Sequence, residues 1–311
     1  MATTLNHTPG EMTPEESSEL PQPGGSPVHS SGPSVFAQLK HTLKSGPVLI
    51  ALLMLGTIVF IAFCAPFLAT ADPTAIDPGQ RLRFPSGEHW LGTDGYGREV
   101  YSRVMYGTRI SLIVGFGATL VGVTVGLLIG VIAGYFRLAD TIVMRVMDGI
   151  MAIPGILLAI ALVSLSGSSL FTVLVAITIP EIPRVVRLVR GVILTVRSEP
   201  YVEAAISLGT RLPTLLLRHL VPNTVAPLIV QGTYISASAI LTEAILSFLG
   251  AGLPPEIPSW GNIMAEGRMY FQLMPGLILY PGIFLSLTVL SVNVLGDAMR
   301  DALDPKMMRK L

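Results

Sequence analysis

Residues 110–136 read ISLIVGFGATLVGVTVGLLIGVIAGYF, an uninterrupted run without a charged side chain. An α-helix that crosses a bilayer needs about 20 mostly apolar residues, so this stretch is long enough to span a membrane. It is apolar around its whole circumference, whereas a helix on the surface of a soluble protein has a polar face. The stretch therefore predicts a transmembrane helix.

Within this run, small residues recur at every fourth position. These residues, which we call the glycine ladder, are Gly122, Gly126, Gly130 and Gly134, with Ala118 one step before them. Positions four apart share one face of a helix, and small side chains there let a second helix approach closely. The ladder predicts a helix-packing surface, and it leaves open whether the neighbouring helix belongs to this chain or to another subunit.

The composition of the whole chain agrees with a membrane protein. Of the 311 residues, 51% are hydrophobic and only 13% are charged, and the mean hydropathy is +0.65. A soluble domain usually carries about a quarter charged residues. The net charge is zero, so nothing indicates a nucleic-acid partner. The single cysteine, Cys64, cannot form an internal disulfide, and we expect neither a metal site nor a cofactor.

Six stretches are long and apolar enough to be membrane spans, although prolines and an acid interrupt the fourth. The predicted spans are residues 47–69, 110–136, 147–166, 169–186, 224–250 and 273–296. The fold class is therefore an all-α polytopic membrane protein with about six transmembrane helices. Most basic residues fall in segments that share one side of the membrane, which by the positive-inside rule predicts that both termini are cytoplasmic. The arginines of the first outer segment weaken this bias.

Residues 198–222, here called the coupling segment, lie between the fourth and fifth spans. Ser198 is suited to cap a short helix, and Gly209 is suited to end it in a left-handed conformation. Thr210 is suited to cap a second helix, which we expect Pro222 to stop. Local chemistry thus predicts a cytoplasmic helical hairpin. On its first helix we expect one apolar side, formed by Val202, Ala205, Ile206 and Leu208.

The same segment carries a recognisable spacing. Glu203-Ala204-Ala205, Gly209 and Pro222 stand where E-A-A-x3-G-x9-I-x-L-P requires them. This resembles the EAA loop of bacterial ABC importer permeases. The segment departs from the pattern at His219, where the pattern has Ile, and at Val221, where it has Leu. His219 in its surroundings is similar to the peptide-permease branch of that family.

Other stretches resemble the same branch, and the resemblance as a whole covers roughly residues 40–308. They are His89–Asp94, Gly97–Leu112, Glu243–Gly252, Pro258–Gly261 and Asn293–Pro305. The resemblance is to the second, C-type permease subunit of dipeptide and oligopeptide importers. It implies a type I importer (MetI-like) fold and a chain that performs no catalysis. No G-x4-G-K-[ST] pattern occurs, so nucleotide binding is expected on another chain.

The resemblance also implies a layout and partners. The expected layout is a first helix over 36–72, a periplasmic loop over 73–108, the transmembrane core over 109–300 and a cytoplasmic tail over 301–311. Residues 1–35 are expected to be a disordered cytoplasmic tail because of their composition, which is rich in Ser, Thr, Pro, Gly and Glu. The expected partners are a second permease in a heterodimer, two ATPase subunits, an extracytoplasmic binding protein and the bilayer of the bacterial inner membrane. The residues expected to contact the ATPase are Glu203, Ala204, Ala205, Gly209, His219 and Pro222. Dipeptides and oligopeptides are the favoured cargo, while nickel, glutathione and opines stay open because importers of these solutes share this type of permease.

Two groups of charged residues have no role in that scheme. Glu243 lies within an apolar run, where ionisable residues are expensive, yet near enough to the outer boundary to reach water or an arginine. We expect a structural or gating role for Glu243 in preference to proton relay. Arg137, Asp140, Arg145 and Asp148 cluster near the inner ends of the second and third spans, and we favour an interfacial charge network there, in which the spacing allows Arg145 and Asp148 to pair.

Two other classes of function compete with the permease. An ion-coupled secondary carrier would show paired inverted halves or acids near the middle of the membrane. A membrane-embedded enzyme would show a cluster of acid–base or metal-binding side chains within its spans. Neither pattern is evident. Co-purification with an ATPase would favour the permease, and uptake driven by a proton gradient without ATP would favour the carrier.

Overall fold

The computed structural model of the protein describes residues 45–303. Within this range the chain is helical and has no β-strand, although an isolated bridge pairs Thr93 with Glu99. The predicted tail of residues 1–35 lies outside the described residues, as does most of the predicted tail after residue 300. The predicted all-α membrane fold is confirmed.

Eleven α-helices follow one another in the described part of the chain. They are α1 (Gly46–Leu68), α2 (Val100–Tyr135), α3 (Arg137–Met151), α4 (Gly155–Ser166), α5 (Leu170–Thr178), α6 (Ile182–Arg197), α7 (Pro200–Ser207), α8 (Leu212–Leu215), α9 (Val225–Phe248), α10 (Trp260–Gly267) and α11 (Gly276–Leu303).

Four helical runs are long and apolar enough to cross a membrane. Three of them are α1, α2 and α11, and the fourth is the run Leu212–Phe248, which ends with α9. Helices α3 and α4 together make a fifth candidate that is bent by 88°. The predicted count of about six is roughly consistent with this result. The sixth helix extends beyond its predicted end, because α11 continues to Leu303.

The third predicted span, residues 147–166, is wrong as a single helix. Helix α3 ends at Met151, and α4 begins at Gly155 in a nearly perpendicular direction. Pro154 precedes α4 with a ψ of 125°. A proline has no N–H, and it disfavours helical geometry at the residue before it, so the turn cannot continue as regular helix.

The fourth predicted span was expected to end at Val186, and this is also wrong. Helices α5 and α6 are separated only by the 3-10 turn Ile179–Glu181, and α6 continues to Arg197. Pro180 and Pro183 stand in the first turns of their segments, where a missing N–H removes no helical hydrogen bond. The arginines of α6 therefore lie beside the membrane helices and not in a loop.

The glycine ladder packs against α6 of the same chain. A Cβ at Gly126 would lie 2.5 Å from the Cβ of Val185, and a Cβ at Gly134 would lie 2.7 Å from the Cβ of Ile193. At Gly122 the nearest atom, the Thr178 Cγ2, would be 3.4 Å away, which is an ordinary contact. The alternative left open by the sequence is thus decided in favour of an internal contact.

A buried cluster of charges fastens the start of α2 to α10. Arg98 Nε donates to Asp94 Oδ2 at 2.7 Å, and Arg103 Nη1 donates to Glu266 Oε2 at 2.7 Å. Arg98 also pairs with Glu266, and Arg103 also pairs with Asp94. The Arg103 side chain is 1% exposed. Helix α2 begins at Val100, so the last residues of the loop predicted over 73–108 are helical.

Candidate coupling site

The coupling segment begins directly after α6, and its first cap differs from the prediction. Ser198 belongs to the end of α6, where its hydroxyl donates to the Thr195 carbonyl at 2.8 Å. Glu199 is the residue that precedes α7, with Pro200 in the first turn. The last carbonyls of a helix lack helical partners, so the Ser198 hydroxyl stabilises the helix that it ends and does not cap the next one.

Gly209 ends α7 in the predicted left-handed conformation, with a φ of +75°. The Gly209 N–H donates to the Ile206 carbonyl at 2.9 Å, and the Thr210 N–H donates to the Ala205 carbonyl at 3.1 Å. This pair of bonds is a Schellman motif, in which glycine is preferred because it has no Cβ. Thr210 therefore belongs to the end of the first helix. The residue that precedes the second helix, α8, is Arg211 and not Thr210 as predicted.

The second helix of the hairpin was predicted to stop at Pro222, but the helical backbone continues past this residue. Helix α8 passes into a π-helical turn, Leu216–Leu220, and then into the 3-10 turn Val221–Thr224, which leads directly into α9. The Val221 N–H reaches five residues back to the Leu216 carbonyl. The wide turn precedes a proline that cannot donate, and it keeps the backbone helical. The part of the coupling segment from Leu212 onward thus forms one continuous helical run with α9, Leu212–Phe248.

One side of the hairpin is fixed to the membrane core. Val202 is fully buried and lies in one cluster with Ile193 of α6 and Leu228 of α9. Ala205, Leu215 and Leu220 belong to the same cluster. Because α7 and α8 share their buried side with two membrane helices, a displacement of the hairpin has to move those helices or separate a packed core.

The opposite side of the hairpin is exposed, and we call it the coupling surface. It comprises Tyr201, Glu203, Ala204, Ile206, Leu208 and Leu217. Leu208 is 86% exposed and Leu217 is 71% exposed. The prediction placed Ile206 and Leu208 on one apolar side with Val202 and Ala205, which is wrong, because the first two are exposed and the other two are buried. Leu208 lies beyond the last helical residue, so helical periodicity does not set its direction.

The remaining predicted coupling residues lie at the rim of this surface. Pro222 is exposed and His219 is half-buried, with its ring centroid 6.4 Å from that of Tyr201. Asn223 links α7 to the π-helical turn, because its side-chain nitrogen donates to the Tyr201 hydroxyl at 3.3 Å and to the His219 carbonyl at 2.6 Å. The fold therefore brings together residues from both ends of the segment.

Ion pairs link α6 to α3. Arg187 Nη2 donates to Asp148 Oδ1 at 2.6 Å, and Arg190 makes a two-pronged contact with Asp140, with Nη2 2.8 Å from Oδ2. Asp140 and Asp148 thus take part in charge pairs, as expected, but Asp148 pairs with Arg187 and not with Arg145. Helical spacing allowed the pair with Arg145, but the arginine of a neighbouring helix lies closer.

Glu243 is fully buried, so it reaches neither water nor an arginine, contrary to the prediction. Its Oε1 accepts hydrogen bonds from the Ser247 and Ser259 hydroxyls, each at 2.8 Å, and its Oε2 has no partner among the described residues. Ser259 also accepts from the Asn262 N–H at the start of α10. Glu243 thus ties the end of α9 to α10.

Glu181 is a further candidate residue that was not predicted from the sequence. This residue stands at the 3-10 turn between α5 and α6, where Arg184 Nη1 donates to its Oε1 and Oε2 at 3.1 and 2.9 Å. The Ser238 hydroxyl of α9 donates to Oε1 at 3.1 Å. The sequence signal for this site is the acid between two prolines, Pro180-Glu181-Ile182-Pro183, at the predicted end of the fourth span.

Comparison with known proteins agrees with this geometry. A family model described as "Binding-protein-dependent transport system inner membrane component" matches residues 122–309. The "Probable peptide ABC transporter permease protein y4tQ" of Sinorhizobium fredii is 52% identical over 250 residues, which cover 80% of this chain and 86% of that protein.

Two further relatives are named for different cargoes. The "Dipeptide transport system permease protein DppC" of Alkalihalophilus pseudofirmus is 40% identical over 302 residues, covering 97% of this chain and 98% of that protein. The "Glutathione transport system permease protein GsiD" of Pectobacterium atrosepticum is 43% identical over 252 residues, covering 80% and 84%.

Proposed function

This chain belongs to the family of binding-protein-dependent transport system inner membrane components, and from that premise we propose that its coupling surface docks onto an ATPase subunit and moves α9. Membership makes the chain a membrane-embedded permease subunit of an ABC importer, which is not catalytic. ATP hydrolysis takes place on separate subunits, and a substrate-binding protein is the other partner. Membership also removes the secondary carrier and the membrane enzyme as alternatives.

The observation that carries the coupling proposal is the two-sided hairpin. Exposed apolar side chains such as Leu208 and Leu217 favour a protein partner, since contiguous exposed apolar surface marks interaction sites. Glu203 is exposed on the same surface, and its carboxylate has no hydrogen-bond or ion-pair partner among the described residues. The buried side contacts α6 and α9, so a partner that binds better in one nucleotide state would shift these helices with it.

The orientation follows from the same idea. We place the coupling surface in the cytoplasm, where ATP is available, and the charge cluster around Arg103 on the outer side. The row Gln231, Tyr234 and Ser238 on α9 is half-buried in the single chain. Polar side chains on a membrane helix turn towards protein or water in preference to lipid, which supports a second permease subunit facing this row.

For the cargo we propose short peptides. The relatives reported above are named for peptide, dipeptide and glutathione transport, and all three kinds of solute are zwitterions with free carboxylates. The test is uptake of labelled dipeptide and of glutathione into proteoliposomes that contain the full complex and its receptor. If the complex takes up neither dipeptide nor glutathione in an ATP-dependent manner, the assignment of short peptides is wrong.

A photo-crosslinking amino acid at Leu208 tests the docking directly. In cells that express the whole complex, we expect a crosslink to the ATPase whose yield changes when ATP and vanadate trap the closed state. The matched control is the same amino acid at Phe63, which is 80% exposed on α1 and which we expect to face lipid. A probe at Leu208 that never captures the ATPase, in any nucleotide condition, would refute the docking.

A further inference from the structure

The pair of Glu181 and Arg184 lies at the level of the middle of the membrane segment of α2. Gly122 is beside Thr178, and Gly126 is beside Val185, so the turn between α5 and α6 is level with residues 122–126. At about 1.5 Å per residue, those residues are about 15 Å or more from either end of the uncharged stretch 110–136. The pair therefore lies at a depth where lipid surrounds the outside of the bundle.

Arg184 is more exposed than such a depth would ordinarily allow. Its side chain is 57% exposed, whereas the Glu181 side chain is 10% exposed. Only Nη1 of Arg184 has a partner among the described residues, which leaves Nε and Nη2 free to donate. Charged side chains inside membranes face a water-filled cavity or another protein chain, because facing lipid is expensive. A proline-broken backbone at this depth indicates the same surroundings.

A cavity approaches this pair from the end of the bundle that carries the coupling segment. Its volume is about 500 Å³, and its lining includes Leu188, Gln231, Tyr234 and Arg300. Leu188 is one helical turn after Arg184, and Tyr234 is one turn before Ser238, the residue that holds Glu181. The Tyr234 hydroxyl donates to Asp297 Oδ1 at 2.5 Å. Polar and charged side chains thus line the way from the cavity to the pair of Glu181 and Arg184.

We infer that Arg184 is a carboxylate-binding residue in the path of the solute, held in position by Glu181 and Ser238. The two free guanidinium nitrogens match the two oxygens of a carboxylate, which the C-terminus of a peptide supplies. Glu181 keeps the charge of Arg184 compensated when no solute is present, so the path does not retain an anion permanently. This inference rests on the proposed peptide import and adds to it a residue that contacts the cargo.

Chemical replacement of the charge tests this role. The Arg184→Cys variant is made in a Cys64→Ser background, in the full complex reconstituted into proteoliposomes. Loss of an ionic contact to the cargo should lower the maximal ATP-dependent uptake of receptor-delivered dipeptide by about tenfold or more. Treatment with aminoethyl methanethiosulfonate, which adds a positive charge at position 184, should restore uptake. The neutral methyl methanethiosulfonate should not.

Several results would overturn the inference. They are undiminished uptake by the cysteine variant, equal rescue by both reagents, and no modification of position 184 in any nucleotide state. The Cys64→Ser complex sets the background, and Arg187→Gln, which removes the same charge one turn further along α6, should keep uptake within about twofold because its partner is on α3. If the unmodified complex shows no ATP-dependent peptide uptake at all, the proposed cargo fails first, which separates the two ideas.

Discussion

Gly126 of α2 and Val185 of α6 are so close that a side chain at position 126 would meet the Cβ of Val185 at 2.5 Å. Helix α6 leads directly into the coupling segment, so this contact determines how the hairpin is held against α2. In lipid, close packing of this kind is a main source of helix association.

Gly126→Ala should therefore destabilise the protein by about 1–3 kcal/mol, because an added methyl group forces the two backbones apart. The measurement is the thermal stability of the detergent-purified complex. Gly122→Ala is the matched control, since the nearest atom to its Cβ would be 3.4 Å away. Equal melting temperatures for the two variants would contradict the packing described for the ladder.

Gly209 tests the turn of the coupling segment. Its φ of +75° is strained for any residue with a Cβ, at a cost of about 1 kcal/mol or more, while no atom lies within 4 Å of the Cβ position. Gly209→Ala and Gly209→Val should thus both displace the hairpin and reduce ATP-dependent uptake, with a larger loss for valine.

The control for this pair is Gly191→Ala on α6, where the space is also open but φ is not positive. Alanine there should be neutral or should stabilise the helix by about 0.5–1 kcal/mol. Full transport by Gly209→Val would be incompatible with the proposed coupling geometry, whatever the result at position 191.

Glu243 separates a structural acid from a proton-carrying one. Glu243→Gln retains an oxygen that accepts from Ser247 and Ser259, so we expect transport to be preserved. Glu243→Ala leaves both buried hydroxyls without this acceptor, which should cost about 1–3 kcal/mol. Uptake and membrane levels are measured together. Complete loss of transport by the glutamine variant at normal membrane levels would favour proton relay.

Arg103 tests the buried charge cluster at the start of α2. Arg103→Met removes a guanidinium that contacts both Asp94 and Glu266, leaving the buried Asp94 and the partly buried Glu266 with Arg98 alone. Breaking a buried ion pair in this way typically costs about 3–5 kcal/mol. The expected result is a low membrane level and faster proteolysis in the loop before α2.

The comparison for Arg103 is Arg187→Gln, which removes one partner of a largely exposed pair. Such pairs contribute about 0–1 kcal/mol, so the level of this variant should stay near that of the unchanged protein. A normal level and normal protease resistance of Arg103→Met would show that the cluster contributes little to stability.

Local chemistry was sufficient for some features of the coupling segment and insufficient for others. The left-handed Gly209 was predicted because few other residues adopt that conformation readily. The caps at Ser198 and Thr210 were predicted incorrectly because each hydroxyl lies between two helices, and spacing does not tell which one it serves. Pro222 was expected to end a helix, but the π-helical turn before it absorbs the missing hydrogen bond.

By itself, the sequence determined that the protein lies in a membrane, that it is all-helical and which family it resembles, because these properties follow from hydropathy and from residue spacings within single segments. Only the tertiary structure decided that the glycine ladder meets α6, that Asp148 pairs with Arg187, and that Glu243 is buried. It also decided that the turn with Glu181 lies level with residues 122–126 of α2. These facts depend on which helices are neighbours and at what register, and contacts between residues far apart in the chain leave no periodic signal along it.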